Sequence, residues 1–300
     1  MENKKKVGCV IVTFNPDIKH ILKLVNILIE DGELEVIVID NGSNNKNELV
    51  KLNGICSLIC LEKNYGIAFA QNVGIKKCYE YHLDYIVFFD QDSFVANDYV
   101  HKLKNEMIVL ESRSNVATLG PVFKDSRYGF FYDVIKLNSF GIRKKIKGSD
   151  ISGFQEVSFI ISSGSIVSRK AFELVGFMDE DLFIDYVDTE WCLRAVNKNL
   201  KVFVTGNVLM SHAIGDKFLK FMKYNIPVHS SFRRYYRIRN ALYFFRMPHV
   251  PVVMKLRDVI YNTIHQGIII LKSEDKLNNF SVYFKAVKDG LRYILTHKRR

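Results

Sequence analysis

Two acidic clusters in this 300-residue chain carry carboxylates at spacings that suit metal binding and acid–base chemistry. The first is Asp90-Gln91-Asp92, directly after an apolar run, and the second runs from Asp185 to Glu190 at the start of a segment with helical periodicity. Carboxylate oxygens are preferred ligands of Mg²⁺ and Mn²⁺, which keep open positions for phosphate oxygens, and a further carboxylate can act as a general base. The structural alternatives are a turn for the first cluster and helix capping for the second.

Polar side chains also follow each of the first four predicted strands, which are short apolar runs at Val7–Thr13, Glu35–Asp40, Ser57–Leu61 and Tyr85–Phe89. The polar positions at or just beyond the strand ends are Thr13, Asn15, Asp40, Asn41, Asn64, Asp90 and Asp92. In open α/β sheets, ligands bind beyond the carboxyl ends of parallel strands. Each position alone also fits a helix N-cap or a turn residue, but together they predict one binding edge.

The elements that must position these residues alternate between strand and helix. Helical patterns fill the intervals between the first four strands, and such alternation predicts right-handed crossovers and a mostly parallel, doubly wound α/β sheet. The pattern then loosens: we expect strands near residues 115–123 and 155–161, helices at 168–175 and 188–197, and a hairpin formed by 201–205 and 207–210. From Asp216 onward helical periodicity dominates, so we place a domain boundary near residue 215.

The net charge of +11 is unevenly distributed along the chain. Residues 217–300 contain 18 Lys and Arg against 4 Asp and Glu, whereas the preceding residues contain 25 against 28. A near-neutral body therefore carries a strongly basic C-terminal region. Such regions bind phosphate groups in nucleic acid, in anionic lipid or in a phosphorylated substrate.

Composition and missing motifs argue against several classes of protein. Five cysteines without a Cys-x-x-Cys pair indicate neither a disulfide framework nor a zinc site, so we expect reduced thiols in a cytoplasmic protein. We also expect no signal peptide, and no apolar run reaches the roughly 20 residues of a membrane span. Neither G-x-x-x-x-G-K-[ST] nor a G-x-G-x-x-G loop after the first strand is present, which argues against a P-loop NTPase and a dinucleotide dehydrogenase.

Five segments of the sequence form an ordered series of motifs. They are Val-Thr-Phe-Asn-Pro at 12–16, Val-Ile-Asp-Asn-Gly-Ser at 38–43, Asn-Tyr-Gly-Ile-Ala-Phe-Ala-Gln-Asn-Val-Gly at 64–74, Phe-Asp-Gln-Asp-Ser at 89–93 and Phe-Ile-Asp-Tyr-Val-Asp-Thr-Glu-Trp-Cys-Leu-Arg-Ala at 183–195. In this order they resemble the motifs of the family 2 inverting glycosyltransferases. With Arg-Arg-Tyr-Tyr-x-x-Arg-Asn at 233–240, the two acidic motifs are more narrowly similar to bacterial rhamnosyltransferases. The resemblance covers residues 7–245.

The resemblance implies a GT-A fold, a nucleotide-sugar donor and a Mg²⁺ or Mn²⁺ ion. The residues that would line the nucleoside pocket are Thr13, Asn15, Asp40 and Asn41, and those of its wall are Asn64, Gly66 and Asn72. Asp90 would lie near the ribose and the metal, and Asp92 would bind the metal directly. His212 would be a further metal or phosphate ligand.

The family's usual Glu-Asp pair is Val187-Asp188 here, so the chain departs from the pattern at the first position. Asp188 still matches the catalytic carboxylate and would act as general base, with Asp185 as its competitor for that role. We expect the acceptor and the diphosphate to be contacted by Ser163, Gly164, Trp191, Arg194, Arg233, Arg234, Tyr236, Arg239 and Asn240.

The implied activity is an inverting, metal-dependent transfer of L-rhamnose from dTDP-β-L-rhamnose to a hydroxyl of a lipid-linked saccharide in bacterial surface-polysaccharide synthesis. One alternative keeps the fold and uses a UDP-hexose donor. An alternative of another class is a catalytically inactive nucleotide-sugar-binding scaffold at the membrane. We expect residues 1–215 to form the catalytic domain and residues 216–300 a basic helical region.

The basic region interleaves Arg and Lys with Phe and Tyr, which is also typical of nucleic-acid binding. We favour a membrane surface instead, since basic amphipathic helices suit anionic lipid interfaces. The protein would then be cytoplasmic and peripheral on the inner face of the membrane, where a polyprenyl-diphosphate-linked acceptor lies. Packing of these helices on the catalytic core is the alternative, and the oligomeric state stays open.

Overall fold

The computed structural model describes residues 5–32, 34–125, 127–212, 217–221 and 224–297, with the backbone alone described for residues 212, 217–221 and 224–228. The chain divides into two compact units. The first comprises Met1–Lys136, Lys145–Phe183 and Val187–His212, and the second comprises Leu137–Lys144, Ile184–Tyr186 and Ala213–Arg300. Two short internal segments are therefore assigned to the same unit as the basic C-terminal region.

The strands of the described chain are β1 (Val7–Thr13), β2 (Leu34–Asp40), β3 (Ser57–Cys60), β4 (Tyr85–Asp90), β5 (Val116–Asp125), β6 (Val134–Leu137), β7 (Arg143–Ile146), β8 (Phe154–Val157), β9 (Ile166–Ser168), β10 (Lys201–His212), β11 (Lys217–Phe221) and β12 (Tyr224–Val228). The helices are α1 (Ile18–Glu30), α2 (Lys46–Leu49), α3 (Ile67–Glu80), α4 (Tyr99–Glu111), α5 (Arg169–Val175), α6 (Val187–Asn197), α7 (Ser231–Tyr243), α8 (Val252–Lys272) and α9 (Lys276–Thr296).

In the described part of the first unit, eight strands form one sheet in the order β3-β2-β1-β4-β9-β5-β10-β8. Strand β1 pairs in parallel with both β2 and β4, which aligns Thr13 with Asp40 and Val12 with Asp90. Strand β9 is antiparallel to both β4 and β5, so β5 and its parallel partner β10 run in the same direction as β4. The carboxyl ends of β1, β2, β4, β5 and β10 consequently share one edge, and the prediction of a mostly parallel, doubly wound sheet is confirmed.

The central strands are apolar because helices cover both faces of the sheet. On one face, Ile11, Val38 and Phe89 belong to a core that also contains buried residues of α1 and α4. On the other face α3 packs closely on β1, since a Cβ added at Gly74 would collide with the side chain of Val10. The side chain of Asp17 begins α1 by accepting hydrogen bonds from two backbone N–H groups of the first turn.

Two predictions for the second half of the chain are wrong. The hairpin expected at 201–205 and 207–210 is a single strand, β10, because Gly206 lies in an irregular segment where the register with β5 shifts and does not reverse the chain. Residues 217–228 were expected to be helical, yet β11 and β12 pair as an antiparallel hairpin. Pro227 lies within β12, and proline is poorly tolerated inside a helix.

The described helices of the second unit are α7, α8 and α9, and α7 packs against both of the others. Many polar side chains are buried in this unit, among them Arg234, Asn240, Asp258, Asn262, His265 and Gln266. Burying a polar group costs free energy unless the group is hydrogen-bonded. Most of the buried polar side chains of this unit that are described below have hydrogen-bond partners. Over the described residues, no helix has the length and apolar character needed to cross a membrane.

Candidate active site

The loops that follow β1 and β2 are joined through the carboxylate of Asp40. This side chain is fully buried, and it accepts hydrogen bonds from the hydroxyl of Thr13 at 3.4 Å, the backbone N–H of Ser43 at 3.0 Å and the hydroxyl of Ser43. Asn15 adds a second connection, because its N–H donates to Ser43 Oγ at 2.7 Å and its side-chain oxygen accepts from the N–H of Asn44 at 2.8 Å. The network holds the first two strand-end loops together.

Asn41 extends the network to the loop that follows β3. Its side-chain N–H donates to Asn64 Oδ1 at 3.1 Å, and its own oxygen accepts from the N–H of Tyr65 at 3.0 Å. Asn64 Oδ1 also accepts from the N–H of Gly66 at 2.9 Å, directly before α3. Gly66 has φ +91°, and a Cβ there would lie 2.6 Å from the carbonyl oxygen of Phe183, so a side chain does not fit.

Asn72 lies within α3, and its contacts are structural. Its amide donates to the carbonyl oxygen of Met178 at 3.0 Å and to Glu180 at 2.8 Å, while its oxygen accepts from the N–H of Met178 at 2.9 Å. The side chain is 2% exposed. Asn72 therefore fixes the segment before α6 against α3.

The loop after β4 contains the Asp90-Gln91-Asp92 motif. The N–H of Asp90 donates to Ser163 Oγ at 3.1 Å, and the same hydroxyl lies 3.0 Å from Ser93 Oγ. Gln91 Oε1 accepts from the N–H of Phe14 at 2.7 Å, which ties this loop to the loop after β1. Asp92 is exposed, and no described hydrogen bond or ion pair holds its carboxylate.

The segment that precedes β9 brings the second acidic cluster to the same edge. The N–H of Ser162 donates to Asp188 Oδ2 at 3.4 Å, and the next residue, Ser163, is the partner of Asp90. Gly164 continues the segment with φ +74°, and its N–H donates to the carbonyl oxygen of Phe88 in β4 at 2.7 Å. Two consecutive serines thus join Asp188 in α6 to Asp90 at the end of β4.

The residues at this edge fit a divalent cation of the Mg²⁺ or Mn²⁺ type. Such ions are commonly bound through one or two carboxylates together with substrate phosphates, and the exposed carboxylate of Asp92 lies two residues from that of Asp90. Within the described residues, no cluster of three or more acidic, His or Cys side chains is present. The side chain of His212, the other expected ligand, lies outside the described residues.

Comparison with known proteins assigns the chain to a family. Residues 9–176, which include most of β1, all of β2 to β9 and α1 to α5, match the family model described as glycosyl transferase family 2. The chain is a family 2 glycosyltransferase. It is 42% identical over 290 residues to the dTDP-rhamnosyl transferase RfbF of Shigella flexneri, with 96% of each chain covered. It is also 36% identical over 80 residues to an uncharacterized glycosyltransferase of Haemophilus influenzae, which covers 25% of this chain and 31% of that protein.

Solved structures agree on the fold. GalNAc-T7 with UDP, GalNAc and Mn²⁺ superposes with a TM-score of 0.57 at 15% identity, covering 99% of this chain and 58% of that chain. S. aureus TarS 1-349 gives a TM-score of 0.55 at 14% identity, covering 96% and 80%. At these identities the likeness concerns the fold, and it confirms the GT-A architecture expected for this glycosyltransferase.

The second unit of the glycosyltransferase holds Asp185, the competing carboxylate. Asp185 accepts hydrogen bonds from Arg233 at 3.1 and 3.3 Å and lies 3.5 Å from Arg237. The side-chain amide of Asn240 donates to the carbonyl oxygens of Ile184 and Asp185 at 2.9 and 3.1 Å. These contacts hold a segment in which Asp185 has a positive φ of 62°.

The remaining arginines of the 233–240 motif have different surroundings. Arg234 is 1% exposed and donates to Gln266 Oε1, His265 Nδ1 and the carbonyl oxygen of Asn262. Burial, followed by the nearby charge of Arg237, lowers the pKa of Arg234 to about 10. Arg239 lies over the rings of Tyr235, Tyr236 and Tyr243, with 4.7 Å to the Tyr236 centroid.

Trp191 and Arg194 of α6, both expected near the acceptor, have partners within the first unit. Trp191 is 2% exposed and donates from Nε1 to the carbonyl oxygen of Gly176 at 2.8 Å. Arg194 forms two 2.8 Å hydrogen bonds with Glu190 and donates to the carbonyl oxygens of Val175, the last residue of α5, and of Phe177. Neither side chain forms part of the acceptor site proposed below.

Three residues that join the loops of the site were not identified from sequence. They are Ser43, Gln91 and Ser162, which bond the loops after β1, β2 and β4 and the segment before β9. Each lies within or beside a motif already singled out. A polar side chain inside a motif could have indicated Ser43 and Gln91, whereas Ser162 contacts Asp188 through its backbone N–H, which side-chain type does not reveal.

Proposed function

We propose that this glycosyltransferase transfers L-rhamnose from dTDP-β-L-rhamnose to a saccharide hydroxyl and inverts the anomeric centre. The relationship to the dTDP-rhamnosyl transferase of Shigella flexneri, 42% identical over nearly the whole chain, supports the donor. The observation that carries the chemistry is the pair of serines, Ser162 and Ser163, that joins Asp188 to Asp90 at one edge of the sheet. A proton acceptor and a candidate metal-binding loop thereby belong to one connected site.

In the proposed reaction, Asp188 accepts the proton of the attacking acceptor hydroxyl. That hydroxyl attacks the anomeric carbon from the face opposite the nucleoside diphosphate, so the linkage formed is an α-rhamnoside. Asp90 and Asp92 would hold the Mg²⁺ or Mn²⁺ ion, which supplies charge neutralisation at the departing diphosphate when it is bound. The joined loops around Thr13, Asp40 and Asn41 would shape the nucleoside pocket.

Asp188 is a better candidate for the base than Asp185. Both oxygens of Asp185 already accept hydrogen bonds from arginines, so an acceptor hydroxyl would have to displace a guanidinium group to reach this carboxylate. Asp188 accepts hydrogen bonds from the N–H of Ser162 and from the N–H and hydroxyl of Thr189, and Ser162 precedes the serine that contacts Asp90 at the edge of the sheet. We therefore assign the general base to Asp188.

A donor screen tests the proposal. The full chain is heated with dTDP-rhamnose, UDP-glucose or UDP-galactose, each with and without Mn²⁺, and the unfolding temperature is measured. A ligand that binds only the folded state raises stability by RT ln(1 + [L]/Kd), so we expect the largest increase with dTDP-rhamnose and Mn²⁺. A larger increase in unfolding temperature with a UDP-hexose would show that a UDP-hexose is the donor. Binding of a nucleotide sugar without release of nucleoside diphosphate would favour an inactive scaffold.

The second part of the proposal concerns the membrane. Helix α8 exposes Val252, Leu256, Ile260 and Ile264 at intervals of four residues, and α9 exposes Leu277, Phe280, Phe284, Leu291 and Leu295. Helix α9 also exposes three basic residues, Lys285, Lys288 and Arg292. Apolar residues with basic neighbours suit an interface of anionic lipid, and we propose peripheral binding to the inner leaflet, next to a polyprenyl-diphosphate-linked acceptor.

Vesicle sedimentation of the full chain tests this binding. We expect co-sedimentation with phosphatidylglycerol vesicles and little with phosphatidylcholine, and we expect Phe280→Asp with Phe284→Asp to reduce it. A matched control is Phe140→Asp, at a residue that is 73% exposed outside these helices. Equal sedimentation of the two variants would exclude this face as the site of membrane contact.

A further inference from the structure

The loop that leaves β5 exposes two aromatic rings. The side chain of Tyr128 is 70% exposed and that of Phe130 is 49% exposed. Their rings are nearly parallel, with an interplanar angle of 15° and 6.5 Å between centroids. Two adjacent and nearly parallel exposed rings offer a flat apolar surface on which a ligand can pack.

The loop is held in place by the buried carboxylate of Asp125 at the end of β5. Asp125 Oδ1 accepts hydrogen bonds from the N–H groups of Arg127 and Tyr128, both at 2.9 Å. Its other oxygen accepts from the hydroxyl of Tyr132 and from the Arg127 guanidinium at 3.2 Å. The hydrogen bond from Tyr132, followed by that from Arg127, holds the pKa of Asp125 well below its usual range.

The rings themselves are supported from one side. Phe130 packs edge-on against Tyr132, with 4.9 Å between centroids, and Tyr132 is in turn bonded to Asp125. The guanidinium of Arg127 lies 5.6 Å from the Tyr128 centroid. Because the rings are already positioned, binding would cost little conformational entropy.

The position of the loop in the sheet indicates which ligand it meets. Strands β4 and β5 run in the same direction with β9 between them, so Asp125 and Asp90 lie at the same edge. Two strand spacings separate β5 from β4 across the sheet, or about 10 Å, and by the register with β9 Asp125 lies about three residues further along the strand direction than Asp90. The loop lies on the side of β4 away from β1 and β2, the strands proposed to carry the nucleoside pocket. A donor whose nucleoside lies over β1 and β2 leaves this side for the acceptor.

We propose that Tyr128 and Phe130 form a stacking platform for a pyranose ring of the saccharide acceptor. This inference rests on the proposed function. A pyranose has a face of C–H groups and a rim of hydroxyls. The C–H face is attracted to the negative face of an aromatic ring, and the Tyr128 hydroxyl can hydrogen-bond to the rim. The position at the catalytic edge favours a saccharide over a protein partner or a second copy of the chain.

The test uses the full chain with octyl pyranosides of L-rhamnose, D-galactose and N-acetyl-D-glucosamine as probes. Binding is measured by saturation-transfer NMR, and transfer from dTDP-rhamnose is measured with Mn²⁺. We expect Tyr128→Ala and Phe130→Ala each to raise the Kd and the KM for the bound pyranoside about tenfold. Both residues are exposed, so these variants should unfold at nearly the wild-type temperature.

Matched variants separate stacking from other roles. Tyr128→Trp keeps a ring and should retain binding, whereas Tyr128→Leu keeps apolar surface without a ring and should lose it. Tyr81→Ala removes another exposed tyrosine, which follows α3 just before β4 begins and so lies at the opposite edge of the sheet. This control should leave the pyranoside Kd unchanged.

The outcomes for the platform and for the proposed function are distinct. Hydrolysis of dTDP-rhamnose without a pyranoside reports the donor reaction alone, and we expect it to be equal in wild type and in all five variants. Pyranoside binding that is absent, or that does not depend on Tyr128 and Phe130, overturns the platform whether or not the donor is hydrolysed. A change in sedimentation coefficient on Tyr128→Ala would overturn it in favour of a contact between copies.

Discussion

Asp185 and Arg233 form an ion pair in which two guanidinium nitrogens donate to the two carboxylate oxygens, at 3.1 and 3.3 Å. The side chain of Asp185 is 6% exposed, whereas that of Arg233 is 40% exposed. Asp188 lies only three residues further along the chain, yet it belongs to the other compact unit and bonds to Ser162. Two neighbouring carboxylates thus have separate environments and, we expect, separate roles.

The first prediction separates these two carboxylates in catalysis. Asp188→Asn should lower kcat by about 10²–10⁴-fold, because a positioned general base contributes a factor of that size. The KM for dTDP-rhamnose should change little, since the proton is transferred only in the chemical step. Asp185→Asn is the matched control, and it should lower kcat far less when both are assayed well below their unfolding temperatures. The reverse order of effects would assign the base to Asp185.

The second prediction concerns stability. Asp185→Asn removes the charge that Arg233 and Arg237 share, and it should lower the free energy of unfolding by about 1–3 kcal/mol. The arginines remain partly hydrated, so the loss should be smaller than for a fully buried pair. Urea titration of Asp185→Asn, Arg233→Gln and the double variant gives the coupling energy directly. A coupling energy near zero would show that the pair contributes nothing to folding.

The third prediction concerns the metal. Asp92→Asn removes an exposed carboxylate that has no described partner, so the fold should be unchanged while Mn²⁺ binds at least about tenfold more weakly in the presence of dTDP. Electron paramagnetic resonance of free Mn²⁺ measures this without relying on activity. Asp98→Asn is a suitable control, because Asp98 is also exposed but is paired with Lys102 in α4. Equal Mn²⁺ affinity in the two variants would remove Asp92 from the metal site.

The fourth prediction is a pH dependence that originates at His265. Burial, together with the charge of Arg234, lowers its pKa from 6.5 to about 4. The unfolded chain therefore binds this proton at a higher pH than the folded chain. The free energy of unfolding therefore contains the full contribution of neutral His265 above pH 6.5, and this contribution is lost as the pH falls from 6.5 to 4. The total loss is on the order of 3 kcal/mol.

His265→Gln provides the comparison for this pH dependence. A glutamine can still accept the hydrogen bond from Arg234 but does not titrate, so its free energy of unfolding should fall less steeply between pH 6.5 and 4. Urea titrations at several pH values measure both slopes. Identical slopes would show that His265 titrates normally in the folded protein.

The amino-acid sequence by itself determined the strands and the edge at which they end. The strands Val7–Thr13 and Tyr85–Asp90 are apolar up to their last residue and are followed by Asn, Asp and Ser, so local patterning was enough to predict both the sheet and the edge at which these polar residues gather. Local patterning failed at Gly206, where a glycine that usually marks a turn instead lies within β10. A turn and an irregular strand segment use the same residue types, and only the pairing with β5 distinguishes them.

The roles of individual side chains were decided by the tertiary structure. Arg233 and Arg234 are adjacent and chemically identical, but in a helix of 3.6 residues per turn they point about 100° apart. Arg233 consequently stays partly exposed and pairs with Asp185, whereas Arg234 is buried against Gln266 and His265. In the same way, we propose a role in acceptor binding for Tyr128 only because β9 pairs antiparallel with both β4 and β5. These two strands consequently run in the same direction and end at the same edge. Sequence specifies which groups are present, and packing between distant segments specifies which of them face one another.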